Sequence, residues 1–389
     1  MDHHATTPVD PRVVEAMLPY FTEKFGNAGS VSHSFGWDAK EAVDAARQSI
    51  SAAIGAAARE IVFTSGATES NNLALRGVAE RARGGGHLIS VTTEHKAVID
   101  PLKRLERRGF EVTWLPVAQA GDPRAGCIAA EQVAEALRDD TLLVSVMLAN
   151  NEIGAIHPLE EIGRICRERG VLLHSDATQA VGRIPVNVQQ LGVDLMSFSG
   201  HKIYGPKGVG ALYVRRRGRP VRLAAQIDGG GQEGGFRSGT LNVPGVVGMA
   251  AALELCQAEM STETPRLAQL RDRLLEGLCQ SLEDVSLNGP ELSPTGCRLA
   301  ANLNVSFADV DGEALMMSMR DLAVSSGSAC TSANPEPSHV LRALGLSEDL
   351  TRASLRFGLG RANTAEDVQR AIYTVSEAVR RLRAMRWPA

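Results

Sequence analysis

Through the first 215 residues, short apolar runs alternate with helical patterns, and this constrains the chain more than any other feature. Ile61-Val62-Phe63-Thr64 reads as a short buried strand. His87 to Val91, Phe110 to Leu115, Leu142 to Met147, Val171 to His174 and Val193 to Phe198 read likewise. Helical stretches lie between them, among them Glu69 to Arg83, Asp100 to Arg108, Ala129 to Arg138 and Leu159 to Arg169. Strand, helix and strand at this spacing make βαβ units, so the expected fold is α/β, with a mainly parallel sheet covered on both faces. Gly208 to Arg215 follows a Gly/Pro turn and is expected to add an antiparallel strand.

After about residue 245 the pattern changes. Two amphipathic helices are predicted at 245–260 and 265–282, the second with a stripe of Leu267, Leu270, Leu274, Leu275 and Leu278. Strands at Leu303–Phe307 and Ser354–Phe357, a helix near Gly312–Arg320 and a last helix from Ala365 to about Arg383 complete a smaller α+β domain. The expected division is 1–15 as an N-terminal segment packing with the small domain, 16–245 as the large domain and 246–389 as the small one.

Composition excludes several classes. Forty-one Lys and Arg against 45 Asp and Glu leave a net charge of −4, which argues against a dedicated nucleic-acid binder. No apolar run is long enough for a membrane span. The opening Met1-Asp2-His3-His4 is not a charged leader with an apolar core, so a secretory signal is not expected. The six cysteines (Cys127, Cys166, Cys256, Cys279, Cys297 and Cys330) are scattered with no C-x-x-C pair, which points to reduced thiols in a cytoplasm and no resident metal site.

Several segments could carry chemistry. Phe63-Thr64-Ser65-Gly66-Ala67-Thr68-Glu69 is a strand, a small-residue turn and a helix start, which is either an anion-binding helix N-terminus or a plain capped turn. Gly229-Gly230-Gly231-Gln232-Glu233-Gly234 matches G-x-G-x-x-G but opens no helix after a strand, so it is read as a loop near a ligand or subunit boundary. That also disfavours a nicotinamide-dependent oxidoreductase. Asp176 follows a buried strand, where an acid either pairs a cationic ring nitrogen or caps the next turn. Lys202, preceded by Ser199-Gly200-His201, is either a solvated surface lysine or an amine that forms Schiff bases. Together Asp176 and Lys202 form the pairing pyridoxal phosphate requires: an amine for its aldehyde and a carboxylate for its ring nitrogen. His95 is either structural or a flat ring that stacks on such a cofactor. Cys330, among Ser, Gly, Ala and Pro, reads as an exposed nucleophile rather than an inert core thiol.

Six ordered motifs then resemble those of the pyridoxal-phosphate-dependent cysteine desulfurases. They are TSGATES from Thr64, TEHK from Thr93, DATQ from Asp176, SFSGHK from Ser197, RSGT from Arg237 and SSGSACTS from Ser325. The last resembles the first, housekeeping iron–sulfur group, and the likeness runs from Ala5-Thr6-Thr7-Pro8 to the final helix. The resemblance implies the aspartate-aminotransferase-type fold (fold type I), with a seven-stranded sheet and a homodimer. It implies that Lys202 carries the cofactor, Asp176 holds the ring nitrogen, Gln179 bonds the ring hydroxyl and His95 stacks on the ring and takes a proton. Ala67, Thr68, Ser199 and His201 would hold the phosphate, and Thr240 would reach across from the partner subunit. Asn151 and Arg356 would bind the carboxylate of L-cysteine. Cys330 would take its sulfur as a persulfide for an iron–sulfur scaffold or another acceptor protein, and would serve as a transient cluster ligand with that scaffold. Two departures stand out: almost nothing precedes Asp2, and after Ala389 there is no counterpart of the tail implicated in scaffold docking. A transaminase, a selenocysteine lyase and a non-catalytic sulfur scaffold on the same fold are the alternatives weighed. Transamination needs no cysteine nucleophile, and the non-catalytic reading would be favoured by loss of Lys202 or Cys330, both of which are present.

Overall fold

The computed structural model describes residues 1–82, 85–292, 297–326 and 336–386. The large sheet has seven strands: β1 (Ile61–Thr64), β2 (His87–Val91), β3 (Glu111–Leu115), β4 (Thr141–Ser145), β5 (Leu172–Asp176), β6 (Leu195–Ser199) and β7 (Gly210–Val214). Their order is β1-β7-β6-β5-β4-β2-β3. β7 runs antiparallel to both neighbours and every other pair is parallel. Of the interior strands, β2, β6 and β7 are buried along their whole length and β4 and β5 at all but one residue, because helices cover both faces. A buried strand needs no polar alternation, hence the continuous apolar runs of the sequence.

The smaller sheet is antiparallel, formed by β8 (Val285–Leu287), β9 (Asn302–Phe307), β10 (Ser325–Ser326) and β11 (Ser354–Gly358) in the order β10-β11-β9-β8. Leu303, Phe307 and Phe357 pack there against Leu274, Leu278 and Val375.

Where two helices are predicted, the chain forms one, Val243–Ser281, which continues through Pro265. Met249, Leu253 and Cys256 on its first part belong to the large core, while Leu267, Leu270, Leu274 and Leu278 on its second part belong to the small one. Proline forfeits one backbone bond and clashes with the preceding turn, but burial of a stripe on each side holds the two halves as one helix. The sequence boundary at 245 therefore falls inside the first turn of this helix. The large core extends to Cys256 and is rejoined by Val340, Leu341 and Leu344. The N-terminal segment touches both units: the His3 N–H donates to the Gly358 carbonyl on β11 (2.9 Å), while Val13 lies in the large core. The helix Ser34–Ala53, which the apolar periodicity does not single out, packs along Val243–Ser281.

Candidate active site

Parallel strands deliver their C-terminal ends to one edge of the sheet, and polar residues gather there. Asp176 ends β5, and Ser199 ends β6 and leads directly into the turn that carries His201 and Lys202. The turn after β1 opens the helix Ala67–Ala79, and His95 caps the helix Lys96–Glu106 by accepting from the Ala97 N–H with Nδ1 at 3.1 Å. Arg356 comes from β11 of the other sheet. These residues, together with Ala67, Thr68, Asn151 and Gln179, line one cavity of about 820 Å³.

Each is held by identifiable partners. The buried Asp176 carboxylate accepts from Asn71 Nδ2 (2.7 Å) and from the Thr178 N–H (3.0 Å), and forms no ion pair among the described residues. Lys202 Nζ donates to the carbonyls of His4 (2.7 Å) and Ala5 (2.6 Å). Burial, then Arg183 and Arg356, bring its pKa down to about 7. Burial, followed by Lys202 and Lys207, lowers His201 to about 4, and its Nδ1 lies 3.1 Å from Thr6 Oγ1. The His95 ring faces the open cavity, yet the surrounding protein lowers its pKa, with Asp176 opposing and Lys202 reinforcing the effect.

Gln179 is already engaged, donating to the His4 carbonyl at 2.9 Å and facing His4 Nδ1 with Oε1 at 3.0 Å. Arg356 donates to Asp2 Oδ1 (2.8 Å), Ser325 Oγ (2.7 Å) and the Asn151 carbonyl (3.1 Å), while its buried Nε has no partner. Thr240 is exposed and lines no part of this cavity in its own chain. It follows Arg237, which donates to Glu69 Oε1 at 2.8 Å, and Glu69 in turn accepts from the Ser65 N–H at 2.8 Å. Cys330 lies outside the described residues. On the near side of its segment Ser325 and Ser326 line the cavity, and on the far side His339 does, donating to the Glu94 carbonyl with Nε2 at 2.8 Å.

The sequence carried no signal for Asp2, His4, Arg183 or His339, and Glu94 stood in the TEHK motif with no role assigned to it. Glu94 is fully buried, accepts from the Met147 N–H at 2.6 Å, and is held well above the usual carboxylate pKa by burial and by Asp176. Apart from Glu94, in the motif after β2, nothing distinguishes these residues from ordinary polar positions before the N-terminal segment is seen to return across the sheet.

An amine with a pKa near 7, a buried carboxylate without a cation, and a helix N-terminus share one cavity, and this donor set fits pyridoxal phosphate. The Thr178 hydroxyl, buried at the cavity wall without a partner, adds a free polar atom. Comparison with known proteins agrees. The sequence family described as aminotransferase class-V matches residues 1–371. The chain belongs to that family. Within it, the cysteine desulfurase IscS of Anaeromyxobacter dehalogenans (strain 2CP-C) is 59% identical over 386 residues, covering 99% of this chain and 93% of the relative. A solved structure titled NifS-like protein superposes with a TM-score of 0.88 at 37% identity, covering 98% of this chain and 99% of that one. A structure titled SspA in complex with cysteine gives 0.80 at 38% identity, over 92% and 97%. The class-V chain is thus a pyridoxal-phosphate-dependent enzyme of the cysteine desulfurase branch. No described helix is long and apolar enough to cross a membrane.

Proposed function

We propose that this cavity removes the sulfur of L-cysteine, leaving L-alanine and a persulfide on Cys330. The observation that carries the reading is the convergence of Lys202, Asp176 and Arg356 on one cavity that also receives the root of the Cys330 segment. Lys202 anchors the cofactor, Asp176 faces its ring nitrogen, and the N–H groups at Ala67 and Thr68, with Ser199 and His201, receive its phosphate. Gln179 bonds the ring hydroxyl and Thr240 of the second subunit completes the phosphate site. Bound there, pyridoxal phosphate supplies an aldehyde for exchange of amines and a conjugated ring that withdraws electrons from the substrate Cα.

The chain's own residues do the rest. Arg356, with Asn151 beside it, takes the substrate carboxylate, a planar fork matched to two oxygens. With a pKa near 7, a good part of the freed Lys202 is neutral, so it accepts the Cα proton and later returns it. His95, whose lowered pKa keeps it neutral, accepts the proton of the substrate thiol. Cys330 attacks that sulfur as a thiolate: its S–S bond forms as the C–S bond breaks. Cysteine and one thiol become alanine and one persulfide, with no external oxidant. Cys330 is four positions beyond Ser326 in the sequence, a span of at most about 14 Å of extended chain.

The persulfide passes to an acceptor protein, an iron–sulfur scaffold or a thiolation enzyme, in the cytoplasm. A dimer is supported by four exposed aromatic rings near the N-terminus, Phe21 (59%), Phe25 (62%), Phe35 (47%) and Trp37 (56%), an apolar display a lone subunit would leave to water. Cys330→Ser tests the reading. The variant should bind cofactor and cysteine yet release no sulfide under reductant, and substantial turnover would refute the assignment.

A further inference from the structure

Arg183 lies beside the catalytic turn without a carboxylate partner: among the described residues it forms no ion pair. Its NH2 donates to the carbonyls of His3 (2.8 Å) and Lys202 (3.2 Å). Its NH1 lies 3.1 Å from His4 Nδ1 and 3.3 Å from Nε2. His4 is itself buried, and its carbonyl is one of the two that hold the Lys202 amine. The guanidinium thus grips the Lys202 main chain and the segment that seats its side chain, while placing an uncompensated positive charge next to both. A buried cation normally recruits an acid, because desolvation alone is costly. Here the hydrogen bonds go to carbonyls and an imidazole, so the charge stays unneutralised.

We propose that Arg183 is a positioning residue for Lys202, whose charge keeps the released amine neutral and whose fork holds the His3–His4 backbone on which that amine rests. This deepens the reading above and rests on it, since an amine that must accept a proton has to be neutral first. The balance around Lys202 comes from every side. Burial, Arg183 and Arg356 on β11 disfavour the ammonium; Asp176 at the end of β5 and Asp2 of the N-terminal segment favour it. His95 and His201 face it from neighbouring turns, both with pKa values lowered in part by Lys202 itself. Arg183 is the cation on this list with no other assigned duty, for Arg356 is paired with Asp2 and awaits the substrate carboxylate.

The test uses the full chain freed of cofactor. Pulse acetylation across a pH series, read at the Lys202 peptide by mass spectrometry, gives the midpoint at which this amine becomes reactive. In the parent protein it should lie near 7. Arg183→Met and Arg183→Gln remove the charge and should raise the midpoint by about one pH unit, leaving about tenfold less neutral amine at pH 6. Arg183→Lys keeps the charge and should stay within about 0.3 unit of the parent. An unchanged midpoint in the Met and Gln variants overturns the proposal, and so does an equal rise in all three variants, which would make shape rather than charge the cause. Borohydride reduction of the loaded parent separates the two claims: a cofactor adduct on another lysine sinks the anchoring role of Lys202 and leaves the titration result standing.

Discussion

Gly210→Ala isolates the contact on which the proposed phosphate site depends. Gly210 starts β7 where the turn after β1 crosses it. A Cβ there would lie 2.6 Å from Gly66 Cα, 2.8 Å from Gly66 C and 2.7 Å from the Phe198 carbonyl oxygen. All three are backbone atoms, so no side chain can rotate aside. Carbon contacts settle at about 3.5–4.0 Å, so the turn has to withdraw by about 1 Å. Overpacking of this kind costs about 1–3 kcal/mol of stability. The larger effect falls on the N–H groups at Ala67 and Thr68, because displacement of a positioned group by 1 Å can cost a factor of about 100. Titration of the cofactor-free variant with pyridoxal phosphate, followed by absorbance, should show Kd raised about 10- to 100-fold, or about 1.4–2.8 kcal/mol. Pyridoxal, which lacks the phosphate, should bind parent and variant alike. Equal weakening of both ligands, or a pyridoxal phosphate Kd within about twofold of the parent, would refute the reasoning.

Asp176→Ala should reduce turnover by orders of magnitude and also leave the Asn71 amide and the Thr178 N–H without an acceptor, at about 1–3 kcal/mol each by denaturant unfolding; a mild kinetic effect would contradict the ring-nitrogen role. Stability should fall as pH drops from about 6.5 toward 4. Burial lowers His157, His174 and His201 to about 4 and His4 well below its usual value, so the unfolded chain takes up protons that the folded chain refuses. Glu94 and Asp194, whose pKa values are raised by burial, hold protons in the folded state and oppose this. Four histidines against two carboxyls leave a slope on the order of 2 kcal/mol per pH unit, measurable as the urea midpoint against pH, and a flat profile would exclude it.

The sheet was legible because its strands are buried on both faces and therefore read as unbroken apolar runs. Leu159–Arg169 was legible as a helix because it carries an amphipathic stripe and a glycine at its end. Ser34–Ala53 was not, since alanines and polar residues fill a helix that gains its burial from a partner some two hundred residues away. Pro265 read as a break because local propensity cannot register two cores gripping one helix from either side. Asp176 and Lys202 stood out because strand ends in such sheets are where ligands collect, whereas Ser199 and His201 were assigned only through the resemblance of their motif. Asp2 and Arg183 did not, for their significance lies in contacts that exist only after folding. Asp2 meets Arg356 across 354 positions of sequence, and no spacing rule reaches that far.

The 39-residue helix Val243–Ser281 makes a lever of the class-V chain. At 1.5 Å per residue, its arm beyond Pro265 is about 24 Å long, so a flex of five degrees at that proline swings the far tip by about 2 Å. Asp176 and Lys202 stand on the fixed side of that fulcrum, and Arg356 rides with the moving one. Any bend at Pro265 would therefore alter the gap between the Lys202 amine and the Arg356 guanidinium.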